Sequence, residues 1–189
     1  KFEADVDELV YGDIRDTHCL ERIFSDYDIT EVYHLAAQSI VKTCALDPYS
    51  AFDITVMGTV TLLEVCRRHP KVRSIVISTS DKVYGAAPVP YNEETALVPK
   101  HIYETSKACQ DFIGLSYFHN YDLPVKVVRC SNLYGPGDRN LSRIIPNTIL
   151  SLLGGKAPLL YEGVGEYQRE FVFIEDACQA FELVGSCGL

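Results

Sequence analysis

The stretch Ser74–Gly85, which reads SIVISTSDKVYG, decides the fold class of this chain. Its first five residues form a nearly continuous apolar run, which is typical of a strand buried on both faces of a sheet. Hydroxyl and ionisable side chains follow at once. Because the carboxyl ends of parallel strands border the ligand crevice of an α/β sheet, the stretch predicts a buried strand with a site at its end.

Strand and helix patterns alternate on both sides of this stretch. Three further short runs favour strands: 31–35, 125–129 and 172–174. Three longer stretches predict helices: 52–68, 103–121 and 140–153, the last ended by Gly154-Gly155. Strands separated by helices of this length imply right-handed βαβ crossovers, so the predicted fold class is α/β with a parallel sheet.

The composition is that of an ordinary globular domain. The chain has 189 residues, of which 47% are hydrophobic, and a formal net charge of −9. The acidic balance argues against nucleic acid or a membrane surface as a partner, although a local cationic pocket for a phosphorylated small molecule is compatible with it. No apolar run reaches the length of a membrane span.

The cysteines and histidines predict neither a disulfide framework nor a metal site. The seven cysteines form no C-x-x-C pair and their number is odd, so we interpret them as small buried residues of a cytoplasmic, reducing environment. Four histidines lack metal-ligand spacing and are assigned to the surface or to loops: His18, His69, His101 and His119. His34, at the end of a strand, is assigned to packing.

Tyr103 and Lys107 form a Y-x-x-x-K pattern at the start of a predicted helix. Four-residue spacing places both side chains on one helical face. A free tyrosine, with a pKa of about 10, is a poor base at neutral pH, but an adjacent ammonium favours the phenolate and lowers that pKa. We therefore predict that Tyr103 removes a proton from a substrate hydroxyl and that Lys107 activates it.

Together with Ser80, these residues resemble the extended branch of the short-chain dehydrogenase/reductase superfamily, which contains the nucleotide-sugar epimerases and dehydratases. Further segments match this family in its own order: GDIRD at 12–16, HLAAQS at 34–39, TVMGT at 55–59, NLYGPG at 132–137, and REFV at 169–172 with Asp176. The resemblance implies a Rossmann-like, doubly wound parallel sheet, NAD as cofactor (NADP is not distinguished) and a nucleotide-diphosphate sugar as substrate.

The resemblance also implies roles for the matching residues. Catalysis is assigned to Ser80, Asp81, Lys82, Tyr103 and Lys107. Cofactor contacts are assigned to Asp13, Ile14, Leu35, Ala36, Ala37, Gln38, Thr55, Ser78, Tyr103 and Lys107. Substrate contacts are assigned to Tyr84, Asn132, Arg143 and Arg169. Thr55 stands where the family has Asn, which puts the hydrogen bond normally made there in doubt, although a threonine hydroxyl could partly replace it.

The two residues after Ser80 favour one subclass. Epimerases carry small or neutral residues here, whereas 4,6-dehydratases carry an acid and a second ionisable group; Asp81 and Lys82 resemble the type that acts on CDP-glucose. In this interpretation Lys82 removes the C5 proton and Asp81 protonates the departing C6 hydroxyl. A salt bridge between them would shift both pKa values in the wrong direction for these roles. Taken alone, Ser80 and Asp81 are equally typical of turn formers or helix caps.

Two alternatives to a dehydratase stay open: a 4-epimerase or reductase, and a non-catalytic protein that binds a dinucleotide or a sugar nucleotide. The resemblance also implies a homodimer through the helices 52–68 and 103–121. We expect residues 1–135 to be a dinucleotide-binding domain that lacks its first βαβ unit, and 136–189 to begin a substrate region interleaved with it. Because no glycine-rich turn precedes residue 12, we expect this chain alone to bind NAD weakly.

Overall fold

A three-stranded parallel sheet organises the molecule. The computed structural model describes residues 6–158 and 168–188. The strands are β1 (Glu31–His34), β2 (Ser74–Ser78) and β3 (Val125–Val128), in the order β1-β2-β3. The first four residues of β2 are buried, as predicted for a strand covered on both faces. The parallel α/β sheet predicted from the sequence is therefore confirmed.

Helices join and cover these strands. In chain order they are α1 (Thr17–Asp26), α2 (Val41–Leu46), α3 (Pro48–Phe52), α4 (Gly58–Arg68) and α5 (Ile102–Tyr121), with a π turn (Asp53–Met57) between α3 and α4. The predicted helix 52–68 is thus the larger part of a continuous helical stretch. It begins at Pro48 because the Asp47 carboxylate accepts a hydrogen bond from the amide of Ser50 at 3.1 Å.

A second, two-stranded parallel sheet follows. It pairs β4 (Asn132–Tyr134) with β5 (Phe171–Phe173); α6 (Ile144–Leu153) lies between them in the chain and α7 (Ile174–Ser186) follows β5. This sheet takes one strand from each side of residue 135, where we predict a domain boundary; that division stays a prediction. α6 begins four residues later than predicted because Asn140 accepts hydrogen bonds from Ser142 and holds a turn.

The core lies between α4 and the main sheet. The buried residues that form it are Leu62, Leu63, Cys66, Val72, Ile75, Ile77, Leu123 and Val125. Among the described residues, one helical stretch, Pro48–Arg68, is long and apolar enough to cross a membrane, and 44% of its most apolar window is buried inside the fold. Its apolar side chains are explained by packing against α1 and α5 and by the core cluster shared with β2, as in the core helix of an α/β protein.

Candidate active site

The turn after β2 brings three predicted residues together. Ser80 caps a 3-10 turn over Asp81–Tyr84, and its hydroxyl oxygen accepts a hydrogen bond from the amide of Lys82 at 3.2 Å. The same hydroxyl donates to Oδ1 of Asp81 at 3.1 Å and lies close enough to Tyr103 to lower its pKa. Ser80 is therefore both a turn cap and a direct neighbour of the predicted base.

Tyr103 and Lys107 lie on the first two turns of α5, beside the end of β2. Burial raises the pKa of Tyr103, the nearby Ser80 hydroxyl partly opposes this, and the negative charge of Asp81 adds to the rise. Contrary to the expectation from the sequence, the pKa of Tyr103 is raised, and Lys107 is not among the groups that lower it. The reason is geometric, because the Lys107 ammonium donates to the Ser78 carbonyl and to Gln110 instead.

Lys107 belongs to a buried polar network that the sequence analysis missed. Its Nζ lies 2.8 Å from both the Ser78 carbonyl oxygen and Oε1 of Gln110. Nε2 of Gln110 lies 2.9 Å from the Thr59 hydroxyl and 3.1 Å from Nε2 of His34. Burial lowers the pKa of Lys107 to about 8; burial and the Lys107 charge lower the pKa of His34 to about 4. The three-residue spacing from Lys107 to Gln110 is the signal that could have found this contact.

Asp81 and Lys82 face each other across the turn. The distance from Nζ to Oδ1 is 3.6 Å, and the lysine and aspartate side chains are 37% and 27% exposed. Nζ also lies 3.4 Å from Oδ1 of Asn132 on β4. The ion pair that we noted as unfavourable for the two elimination roles is thus present. Both groups remain open to solvent, so a bound molecule can reach them.

A buried ion pair fixes the far side of this turn. Arg129 holds the fully buried carboxylate of Asp111 through two hydrogen bonds, 2.7 Å from Nε and 3.0 Å from Nη2. Its Nη1 donates to the Tyr84 hydroxyl at 3.0 Å, and the Tyr84 ring stacks on Tyr91. Tyr84 is therefore locked in place by packing and by Arg129. Its predicted contact with substrate stays a prediction.

The segments assigned to the cofactor meet at the same edge of the sheet. The Thr55 hydroxyl accepts a hydrogen bond from the backbone amide of Gln38 at 3.1 Å, and this bond connects the π turn to the turn after β1. In that turn, Leu35 and Ala36 are exposed and Ala37 is half-buried. Ile14 packs on Gly58, where a Cβ would lie 2.6 Å from its Cγ2. Next to Ile14, Arg15 binds Asp13 and holds the pKa of its carboxyl well below the usual range.

The structure brings only some of the residues assigned to substrate contacts close to the active-site turn. Asn132 donates to the Glu170 carbonyl at 3.0 Å, which brings the segment of the exposed Arg169 close to Lys82. Arg143 pairs with Asp138 at 3.2 Å, and its charge lowers the pKa of Tyr103 slightly, so it also faces the site. An open cavity of about 490 Å³ adjoins Arg143; it is lined by Tyr134, Gly135, Gly137, Arg139, Leu141 and Ile145, among others. No cluster of three or more metal-ligating side chains occurs in 6–158 or 168–188.

Known proteins resemble this chain over nearly its whole length. A family model described as GDP-mannose 4,6 dehydratase matches residues 2–187. The dTDP-glucose 4,6-dehydratase of Salmonella typhimurium is 34% identical over 194 residues, covering 92% of this chain and 53% of that protein.

Solved structures of similar proteins share the fold of this chain. The dTDP-glucose 4,6-dehydratase of Bacillus anthracis in complex with NAD has a TM-score of 0.83 at 36% identity, and the match covers 95% of this chain and 55% of that one. The UDP-glucose 4-epimerase of Thermotoga maritima has a TM-score of 0.87 at 26% identity, over 94% and 58% of the two chains.

The chain spans about half the length of the relatives that it matches. Within that half, the parallel α/β sheet agrees with the likeness to these solved structures. The chain belongs to the nucleotide-sugar dehydratase and epimerase family of extended short-chain dehydrogenases/reductases.

Proposed function

We propose that the protein catalyses the NAD-dependent 4,6-dehydration of a nucleoside-diphosphate hexose. One observation carries the choice of reaction. Asp81 and Lys82 directly follow Ser80, lie 3.6 Å apart, and border Tyr103. Oxidation at C4 needs only a base and a hydrogen-bonding hydroxyl, whereas elimination of water needs a further acid and a further base. The turn supplies that additional pair.

The residues at the carboxyl edge of the sheet fit NAD. Its adenosine end would lie along Asp13 and Ile14, and its nicotinamide end along the turn 35–38, where the small side chains of Ala36 and Ala37 leave the backbone accessible. The Lys107 ammonium has three hydrogens, and two of them are used by Ser78 and Gln110. The third has no acceptor among the residues that the structure describes, so it is available to a ribose hydroxyl. When bound, NAD supplies the acceptor, and later the donor, of the transferred hydride.

Tyr103 is the group that we assign to the C4 hydroxyl. It accepts the hydroxyl proton as C4 is oxidised, and Ser80 shares a hydrogen bond with the phenolic oxygen. Burial opposes the phenolate in the chain alone, and the groups that favour it are the Ser80 hydroxyl and, more weakly, the Arg143 charge. The product of this step is a 4-keto sugar, whose C5 proton is acidified by the new carbonyl group.

Lys82 and Asp81 then act on C5 and C6. Lys82 removes the C5 proton, the C6–O bond breaks, and Asp81 donates a proton so that the oxygen leaves as water. These roles require a neutral amine and a protonated carboxyl, whereas the ion pair favours both charged forms. Because both side chains are partly exposed, a hexose that enters between them can separate the pair and bring each group to its own substrate atom.

Names of related proteins support a nucleoside-diphosphate hexose as substrate. Relatives that are 34% identical are named dTDP-glucose 4,6-dehydratases, and relatives that are 31% identical include a UDP-glucose 4,6-dehydratase activity. The lysine at position 82 favours CDP-glucose, by the resemblance noted above. We propose the shared chemistry, a glucose-like hexose on a nucleoside diphosphate, with Arg143 and Arg169 on the phosphates.

Variants of Asp81 and Lys82, assayed in deuterated water, test the proposed dehydration. In the protein of natural length, Lys82→Met should abolish incorporation of solvent deuterium at C5, because no base removes the C5 proton. Asp81→Asn should slow loss of the C6 hydroxyl about 100-fold or more. Tyr117→Phe, a change on the same helix as Tyr103 but away from the turn, is the matched control. Deuterium at C5 in the Lys82→Met product at the natural rate would contradict the assigned roles.

A 4-epimerase is the second candidate, supported by the likeness to the UDP-glucose 4-epimerase of Thermotoga maritima. Ser80, Tyr103 and Lys107 are sufficient for oxidation and return at C4, so they do not separate the two activities. The Asp81–Lys82 pair has no role in epimerisation and is the reason to favour the dehydratase. A purely binding protein would have no use for the combination of Ser80, Tyr103 and Lys107.

We also propose a cytoplasmic homodimer. The seven cysteines are all free thiols, which suits a reducing compartment. The helical stretch 48–68 packs beside α5, and together they expose four large apolar side chains: Tyr49, Met57, Phe112 and Tyr121 are 79%, 51%, 57% and 55% exposed. Contact between the same two helices of two copies would bury this face in a four-helix arrangement.

A further inference from the structure

One residue of the buried polar network behind Lys107 has no role in the proposed reaction. Gln110 is fully buried and touches both Lys107 and His34. Lys107 is itself 4% exposed, and no carboxylate lies within ion-pair distance of it among residues 6–158 and 168–188. A buried ammonium without a carboxylate partner depends on neutral carbonyl oxygens to keep its charge. Here two such oxygens serve, one from the Ser78 backbone and one from Gln110.

The orientation of the Gln110 amide is determined by its neighbours. An ammonium has only hydrogens to donate, so the oxygen of the amide must face Lys107. On the other side, the Thr59 hydroxyl already donates to the Thr55 carbonyl at 2.6 Å, which leaves its oxygen free to accept from Nε2 of Gln110 at 2.9 Å. His34 lies against the same nitrogen at 3.1 Å. An inverted amide would place its NH2 group against the Lys107 ammonium, donor against donor, and its oxygen against the Thr59 oxygen, whose hydrogen is already donated to Thr55.

We propose that Gln110 is a positioning residue for Lys107: its side-chain oxygen, held in place by Thr59 and His34, fixes the ammonium at the active site and stabilises its charged form. This inference rests on the proposed function, since that function uses the charged ammonium to bind a ribose hydroxyl of NAD. Gln110 lies one turn along α5 from Lys107 and touches it directly, and its other contacts, with Thr59 and His34, lie within the buried network.

The other groups around Lys107 do not supply this effect. Cys44 on α2 raises the pKa of Lys107 only when it is a thiolate, and burial raises the pKa of the Cys44 thiol itself. His34 at the end of β1 has a pKa lowered to about 4 and stays neutral. The π turn presents the Thr55 carbonyl to this network, and α4 presents the Thr59 hydroxyl. Along α5, Asp111 is occupied by Arg129 of the segment after β3, and Asp81 of the 3-10 turn acts on Tyr103.

Two substitutions of Gln110 with opposite consequences test the proposal. Gln110→Met keeps the volume but removes the acceptor, so the pKa of Lys107 should fall by about one pH unit. Gln110→Glu places a carboxylate against the ammonium, so that pKa should rise by about one pH unit or more. Tyr117→Phe, which removes a hydrogen bond to Glu64 on the same helix, is the control and should leave the pKa of Lys107 unchanged.

The primary readout is the pKa of Lys107 itself, measured by NMR of Nζ in lysine-labelled protein, which needs no substrate. The second is the pH profile of kcat in the protein of natural length, whose alkaline limb should move down for Gln110→Met and up for Gln110→Glu. If Gln110→Met leaves the pKa of Lys107 at its original value, or if both variants shift it in the same direction, the proposal is overturned. Shifts of opposite sign without turnover on any nucleotide sugar would uphold the positioning role and reject the proposed function instead.

Discussion

Tyr103 carries the central assignment at the scale of single residues. Tyr103→Phe removes the proton acceptor but keeps the ring, so kcat should fall about 1000-fold, within the range known for loss of a general base. NAD affinity, measured by calorimetry on the protein of natural length, should change little because Lys107 and the turn after β1 are intact. Unchanged turnover in the Tyr103→Phe variant would refute the assignment.

His34 gives the structure a predictable response to acid. Burial and the Lys107 charge lower the pKa of His34 in the folded state to about 4, from 6.5 when it is exposed. Between these values the unfolded chain binds one proton more than the folded chain, so stability rises with pH across this window and is lost as pH falls through it.

The expected loss through His34 is about 3 kcal/mol between pH 6.5 and pH 4, since one pH unit corresponds to about 1.4 kcal/mol per proton. Urea unfolding at several pH values measures it, and His34→Asn, which cannot titrate, isolates it from the carboxylates. Parallel pH dependences for the natural protein and this variant would show that His34 does not carry the effect.

The pair Asp111–Arg129 matters at the scale of elements, because it joins α5 to the end of β3 and holds Tyr84 behind the active-site turn. Asp111→Ala leaves an arginine that is only 17% exposed without its carboxylate, so unfolding free energy should drop by about 3 kcal/mol. Asp28→Ala, at an exposed ion pair with Lys71, is the matched control and should leave the urea midpoint unchanged. Equal midpoints for the two variants would contradict this role.

The elements also show how far the sequence could predict the fold. β2 and α5 were predicted within one residue because a continuous apolar run and a long helical pattern are local signals. β4 was not predicted, since three residues become a strand only by pairing with Phe171–Phe173, far along the chain. α1 was also missed, although Asp16 is a helix N-cap whose carboxylate accepts from the Cys19 amide.

The same difference between local sequence signals and contacts of distant residues holds within the candidate site. Ser80, Asp81, Lys82, Tyr103 and Lys107 fall into two short motifs, so sequence spacing alone brought them together. Asp111 and Arg129 are 18 residues apart without any pattern, and only the packing of α5 on β3 joins them. The contact between Gln110 and Lys107 has a local signal in its three-residue spacing, but the sequence analysis did not use it. That contact is why the expected lowering of the Tyr103 pKa is not found.

At the scale of the whole molecule, the exposed apolar face of the two long helices predicts self-association. Sedimentation of the protein of natural length should give the mass of two copies. Phe112→Glu places a charge within the predicted contact and should yield a single copy, whereas Tyr27→Glu, at an exposed position directly after α1 and outside both helices, should not. A single copy for the natural protein would contradict the homodimer.

The most direct test of the account is the identity of the product. The protein of natural length is supplied with NAD and, in separate reactions, with CDP-glucose, dTDP-glucose, GDP-mannose and UDP-glucose, and the sugars are followed by NMR. We expect one of these nucleotide sugars to be converted to a 4-keto-6-deoxy hexose, with a methyl signal at C6, and the conversion to depend on Asp81 and Lys82. A C4 epimer formed without any 4-keto-6-deoxy product would contradict the assignment as a dehydratase.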